Sequence, residues 1–387
     1  MIERAITSHL DKLAKSFRVV SIMGPRQSGK TTLAKHHFPN HNYVNLENIA
    51  LRQLAKTDPV EFFHQHRCPI ILDEIQRAPE LLSAIQVMSD ETKKNGQFIL
   101  TGSHQPGLRA EISQSLAGRA SILELLPLSI AELEGAGITM DRDDYIFKGF
   151  MPRIYDEQVA PELLYANYYR TYVERDVRQL INLSNQHAFE VFIKLLAGRV
   201  GQLVNLSSLS NDVGVSSVTL ASWLSVLEAS YIVFRLPGYF NNFGKRQIKT
   251  AKIYFTEVGL AAYLLGLEGP AQAARDPLFG GLFENMVVLE ALKARHNRGK
   301  EPELYYFRDK RGLEVDLILN QGRMLLPIEI KSARTYDASY TKALERFLSF
   351  AGNVAPPAIV YAGDLTPTLG KIRFVNFKNV DALIGSP

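Results

Sequence analysis

The sequence predicts an α/β protein. A parallel sheet built around a phosphate-binding loop comes first, then a helical stretch, a helix-turn-helix with two following strands, and a second α/β domain. Three stretches predict this. Gly24-Pro25-Arg26-Gln27-Ser28-Gly29-Lys30-Thr31 fits the pattern G-x-x-x-x-G-K-[ST] at every fixed position, between an apolar β-prone segment and a helix-compatible one. Pro69-Ile70-Ile71-Leu72-Asp73-Glu74 is an apolar strand ending in two acids. Beyond residue 300, two further apolar strands carry Asp316, Glu329 and Lys331.

At 387 residues, two or three domains are expected. A composition 46% hydrophobic and 22% charged is ordinary for a globular protein. The net charge of +4 permits a polyanionic partner without demanding one. The single cysteine, Cys68, rules out an internal disulfide framework and fits a reducing compartment. The first residues lack the apolar core of a signal peptide, and no apolar run approaches the length of a membrane span. The expectation is a soluble cytoplasmic protein.

Apolar residues at helical spacing (Ile2, Ile6, Leu10, Leu13) predict a helix leading into the first strand. The loop follows that strand. Its glycines let successive N–H groups face one anion, and the next helix adds positive charge at its N-terminus. Gly24, Arg26, Gln27, Ser28, Gly29, Lys30, Thr31, Thr32 and Asp73 are the expected ATP-binding residues. Lys30 would reach the β- and γ-phosphates, and Thr31 with Asp73 would hold Mg²⁺. Glu74 is placed to polarise the attacking water. Residues 43–46 read as a short strand, 49–63 as one or two helices and 81–90 as another. The next apolar strand ends Thr101-Gly102-Ser103, where a hydroxyl either bonds the γ-phosphate or caps the strand. A helix near 108–116, then Gly118-Arg119 and a strand at 121–125, complete a domain spanning 1–130.

Together, Gly24–Thr31, Leu72-Asp73-Glu74-Ile75-Gln76, Leu100-Thr101-Gly102-Ser103, and Leu116-Ala117-Gly118-Arg119 with Pro127-Leu128-Ser129 resemble a family of prokaryotic AAA+ ATPases. In that family the ATPase module precedes a second domain long described as of unknown function. The similarity runs over nearly the whole chain. It implies that Thr101 or Ser103 lies in the sensor-1 region. It also implies that Arg119 is an arginine finger completing a neighbour's site, and hence a homo-oligomer, a ring such as a hexamer. An Arg here can equally cap its own helix.

Residues 131–190 read as a helical lid or linker. Its run Tyr165 to Arg178 is dense in Tyr and Arg. Arg170, Arg175 and Arg178 are the second-sensor options there, against surface pairing such as Glu174 with Arg178 at i,i+4. Residues 191–256 scan as helix, glycine turn and Ser-capped helix, then two strands joined by a basic loop: a winged helix-turn-helix. Lys245, Arg246, Lys249 and Lys252 suit duplex phosphates. The second helix is rich in Ser and Thr and short of charge, which argues against strong base-specific readout. A protein–protein module is the other reading.

In 257–387 a helix runs from about 279 to 296, and strands follow at 304–307, 313–319 and 325–331. Glu329 and Lys331 lie two apart and share a face. Asp316 on the preceding strand and Glu284 on the helix can join them. This set resembles the PD-(D/E)XK, restriction-endonuclease-like core. The resemblance implies that Asp316 and Glu329 bind Mg²⁺, Glu284 assists and Lys331 orients the water. A structural ion-pair cluster is the alternative. A helix at 336–350 and strands at 357–361 and 372–375 extend the domain. The combined expectation is an oligomeric ATPase coupling ATP hydrolysis to binding and translocation or remodelling of DNA, branched DNA included. The alternatives are an NTPase switch acting on protein partners and an ATP-regulated nuclease.

Overall fold

A computed structural model describes residues 1–103, 107–177, 185–239 and 251–385. They form two compact units. The first holds residues 1–128 with 229–231 and 296–300, and the second holds 129–228, 232–295 and 301 onward.

In the first unit, β1 (Val19–Gly24), β2 (Asn42–Asn45), β3 (Ile70–Asp73), β4 (Phe98–Ser103) and β5 (Ala120–Glu124) form one five-stranded sheet in the order β2-β3-β4-β1-β5. Every pairing is parallel. α1 (Thr7–Ser16) leads into β1, and α2 (Lys30–His37), α3 (Ile49–Thr57), α4 (Pro59–Gln65), α5 (Leu81–Thr92) and α6 (Leu108–Ser115) lie between the strands. β1, β3 and β4 are buried along their whole length and read as mostly apolar runs because both of their faces are covered. Val19, Met23, Leu72 and Leu100 pack with Phe62, Leu81 and Ile85 on one face. Their alternates Val20, Ile22, Ile71 and Ile99 pack with Ile6, Leu10 and Leu33 on the other. Fully burying each such side chain stabilises the fold by about 1.5–3 kcal/mol. Because β4 lies beside β1 with Gly24 opposite Ser103, the ends of β1, β3 and β4 meet at one edge.

The second unit begins with four helices: α7 (Ile130–Gly135), α8 (Arg142–Lys148), α9 (Pro152–Asp156) and α10 (Pro161–Tyr168). The Tyr-rich run after α10 is not a plain α-helix: Tyr169–Val177 winds as a π-helix. Tyr168, Tyr169, Tyr172, Val173 and Val177 are all buried. Next come α11 (Gln186–Ala197), α12 (Leu206–Val213) and α13 (Ser217–Ala229). Gly214 at φ 76° ends α12, and the Asn205 side chain caps its start, so a glycine turn separates α12 from α13. β6 (Val233–Leu236) and β7 (Lys252–Phe255) pair antiparallel after it.

The rest of the unit contains α14 (Val258–Leu264), α15 (Pro270–Ala273) and the long α16 (Phe279–Asn297). A six-stranded sheet follows in the order β12-β13-β11-β10-β9-β8. Its strands are β8 (Leu304–Arg308), β9 (Glu314–Gln321), β10 (Met324–Lys331), β11 (Ala358–Tyr361), β12 (Thr368–Leu369) and β13 (Ile372–Asn376). The helix expected at 336–350 is shorter. Asp337 caps a 3₁₀ turn (Ala338–Thr341), and only Lys342–Leu348 is α-helical, as α17. Leu344 and Phe347 seat it on Leu313, Val315 and Ile359. α18 (Val380–Gly385) closes the described chain. No described helix is long and apolar enough to cross a membrane.

Candidate functional site

The phosphate loop takes a shape that its sequence requires. Gly24 has φ 151°, and a Cβ there would meet the Leu125 carbonyl oxygen at 2.2 Å, so only glycine fits. Gln27 at φ 63° and Gly29 at φ 91° turn the backbone around. Gly29 precedes α2 with no side-chain cap, which leaves the first N–H groups of α2 free to face an anion. Ser28 Oγ is buried without a hydrogen-bond partner. An unpartnered hydroxyl beside a nest of amides can donate to a phosphate oxygen, which fits a phosphate chain. Arg26 is half-buried in the loop, and Thr32 is exposed in the first turn of α2.

Lys30 is buried, and its ammonium donates to the carbonyls of Gly24 at 3.0 Å and Pro25 at 2.7 Å. Burial pushes its pKa down to about 8, against the opposing pull of Glu74 and Asp73. One residue holding the loop carries no sequence signal. Arg4, buried before α1, donates to the Ser28 carbonyl at 2.8 Å and the Leu126 carbonyl at 2.6 Å.

At the ends of β3 and β4 the acids are served by hydroxyls. Asp73 accepts from Thr31 at 2.8 Å, from Tyr43 at 2.8 Å, and from Thr101. Burial, then the bond to Asp73, raises the Tyr43 pKa. The Thr31 hydroxyl beside a buried carboxylate supplies the hard oxygen donors that Mg²⁺ prefers, so these residues fit the metal. Glu74 stands at φ 60° in the left-handed region. Its carboxylate accepts from Ser103 at 3.3 Å and from the Gln76 amide. A Cβ on Gly102 would meet Gln76 Oε1 at 2.8 Å, so the glycine makes room for Gln76. The fold thus brings Gly24, Gln27, Ser28, Gly29, Lys30, Thr31, Asp73, Glu74, Thr101 and Ser103 to one edge. Arg4, Tyr43 and Gln76 join them without having been assigned a role from sequence.

Arg119 is elsewhere. Its carbonyl accepts from the Val19 amide, at the end of β1 opposite Gly24. Its guanidinium holds Asp90 on α5 through two bonds of 2.7 Å, and the Ala117 carbonyl at 3.0 Å. Ala117 lies beyond the last turn of α6, so this bond does not cap the helix. The main partner is one that neither reading supplied.

The C-terminal residues also converge, with a correction. Lys252, expected on the surface against DNA phosphates, is buried. Its ammonium lies 2.8 Å from Glu284, 2.6 Å from Glu314 and 3.8 Å from Asp316. A lysine so enclosed cannot reach a duplex. The other basic-loop residues, Lys245, Arg246 and Lys249, lie outside the described residues, as does Arg178. Glu329 pairs with Lys331 at 2.6 Å, and Asp316 accepts the Ile330 amide at 2.8 Å. Burial, reinforced by Asp316, raises the pKa values of Glu284 and Glu329 to about 7. Among the described residues no group of three or more His, Cys, Asp or Glu side chains is arranged to hold a metal ion. The four residues therefore meet but do not fit the expected metal site.

A glycine-rich loop with its lysine, a Thr–Asp pair at a strand end and a glutamate beside it define a phosphate-loop nucleotide hydrolase. Residues 16–134 match the family described as AAA domain. Residues 139–271 and 279–380 match two domains of unknown function, DUF8612 and DUF4143. An uncharacterized protein of Mycobacterium tuberculosis is 30% identical over 353 residues, covering 89% of this chain and 77% of that protein. One of Haemophilus influenzae is 24% identical over 344 residues, covering 80% and 81%. Among solved structures, a Walker-type ATPase of Pyrococcus abyssi aligns with TM-score 0.43 and 11% identity, over 68% of this chain and 96% of that one. The chain belongs to the same family as the mycobacterial protein, a family of AAA-domain ATPases with a DUF4143 C-terminal domain.

Proposed function

We propose that this ATPase couples ATP hydrolysis to binding and then translocation or remodelling of DNA. Hydrolysis is carried by one observation above the rest: Asp73 is held by Thr31 and Thr101 at the mouth of the phosphate loop, with Glu74 alongside. Lys30 exchanges the carbonyls of Gly24 and Pro25 for β- and γ-phosphate oxygens. Thr31 and Asp73 hold Mg²⁺, which when bound neutralises charge on the phosphates. Glu74 accepts the proton of the attacking water, and Ser103 and Gln76 aim it. Arg119 enters as the group offered to a neighbouring subunit, which requires an oligomer and release from Asp90.

The DNA partner is supported by the helix–turn–helix of α12 and α13 and by the basic sequence that follows β6. Val218, Ala221, Ser222 and Ser225 are exposed on α13, a face of small residues that suits backbone approach more than base readout. One observation favours a protein partner instead. Arg199 is paired with Asp212 at 3.1 Å and Arg235 with Glu228, so neither cation is uncommitted. ATP turnover measured with and without duplex and branched DNA separates the two. The DNA reading expects tight binding that weakens with salt, and altered turnover. DNA that neither binds nor changes turnover at moderate salt sinks it and leaves a nucleotide-gated protein switch.

A further inference from the structure

The second unit contains a charged cluster that ATP hydrolysis does not use. Glu284 of α16, Glu314 and Asp316 of β9, and Glu329 of β10 bring their carboxylates together. Lys252 of β7 enters among them with a side chain only 3% exposed. An ammonium has three donors and no acceptor. Here Glu284 at 2.8 Å and Glu314 at 2.6 Å take two, and Asp316 stands at 3.8 Å. Tyr254, two residues along β7, donates to the same Glu284 oxygen at 2.6 Å. Lys331 serves one oxygen of Glu329, and the other, Oε2, is buried without a partner. The oxygens thus surround a cation, and that cation is a side chain. Its distances are those of ion pairs, not the roughly 2.0–2.1 Å at which Mg²⁺ binds oxygen.

We infer that the Lys252 ammonium is the resident cation of this cluster, and that it keeps divalent metal, and with it metal-dependent nucleic acid cleavage, out of the C-terminal domain. This is independent of the DNA reading, since it concerns what the cluster holds and not what the protein binds. Removing one member of a buried charge set leaves the rest uncompensated. Without the ammonium, Glu284, Glu314 and Asp316 need another cation or protons. A neutral side chain at position 252 would therefore open the ion-pair cluster to an outside cation in the ammonium's place. Oxygen ligands would be contributed by Glu284 and Asp316, together with the unpartnered oxygen of Glu329.

The test is Mn²⁺ binding to the full chain without nucleotide, followed by the manganese spin-resonance signal and by calorimetry. Asp73→Asn is present throughout to silence the phosphate-loop site. The chain with Lys252 is expected to take up no Mn²⁺ that depends on Glu329. Lys252→Met is expected to gain one site at least about tenfold tighter than any remaining binding, lost again in Lys252→Met with Glu329→Gln. Two results overturn the inference. One is Mn²⁺ uptake by the Lys252 chain that Glu329→Gln removes. The other is a Lys252→Met chain, folded by circular dichroism, that takes up no Mn²⁺. If Lys252→Met does not fold, the Lys252 chain with and without Glu329→Gln decides: no Glu329-dependent uptake supports the inference.

Discussion

Two of the places where this molecule sets buried lysine among carboxylates solve the charge problem in opposite ways. In the first unit Lys30 donates to two backbone carbonyls, while Asp73 and Glu74 are satisfied by Thr31, Tyr43, Thr101, Ser103 and Gln76. Lysine and acids share the site without spending their charges on each other. In the second unit Lys252 and Lys331 bond carboxylates directly. The titration behaviour follows. Lys30 is pushed down to about 8 because burial outweighs its acids. For Lys252 burial also works downward, but Glu284, Asp316 and Glu314 overcome it and hold the proton well above the ordinary lysine value. A cation with neutral partners can be transferred to an arriving phosphate. One locked to carboxylates cannot be, without leaving charge behind.

The sharpest way to break this comparison is to exchange an acid for its amide at each site. Glu74→Gln is expected to lower kcat by about 10²–10⁴-fold with nucleotide binding retained. Glu329→Gln is expected to leave ATP turnover of the same chain unchanged. Steady-state hydrolysis and nucleotide calorimetry read both, and an equal loss in the two variants removes the distinction. Next in size is a pH effect. Bound phosphates favour charged Lys30, whereas the unliganded lysine loses its proton near pH 8. ATP binding therefore takes up a proton above that pH. Affinity should be flat below pH 8 and fall by up to about tenfold per unit above it. Calorimetry in buffers of different ionisation enthalpy measures the uptake, and flat affinity to pH 9.5 contradicts it.

A smaller effect is expected from Arg4→Ala, which strands the Ser28 and Leu126 carbonyls in a buried place. The cost is about 1–3 kcal/mol of stability, with weaker ATP binding, seen in denaturant melts with and without nucleotide. The smallest change in stability is expected from Arg119→Ala. Because Arg119 and Asp90 form an exposed pair, the melting temperature should barely move. Turnover should fail in the variant alone and recover when it is mixed with Lys30→Ala subunits. No recovery on mixing removes Arg119 from catalysis.

What could be read from the sequence was what is local. The loop residues Gly24 to Thr31 act through one turn of backbone, and Asp73 ends an apolar strand, so pattern and position sufficed. Arg4 was not legible because its partners lie 24 and 122 residues away, and nothing periodic announces them. Lys252 was misread for the same reason. Beside a basic run it looked like a surface charge, yet its burial is decided by Glu284, 32 residues on, and by the strand carrying Glu314. Strand alternation and the β9–β10 hairpin make the meeting of Asp316, Glu329 and Lys331 legible, whereas Glu284 joins from α16. The lysine that fills their centre comes from another element. The π-helical turn of 169–177 was equally invisible in the sequence.

The Arg4 clamp has a practical corollary for anyone preparing this protein. Residues 1–6 precede α1 and carry none of the loop motif, so a trimming site could easily be placed among them. Yet Arg4 is wired to the Ser28 backbone inside the nucleotide loop. A preparation shortened at its front end would lose ATP affinity while every motif residue remained intact, and a dead sample would be blamed on the wrong domain.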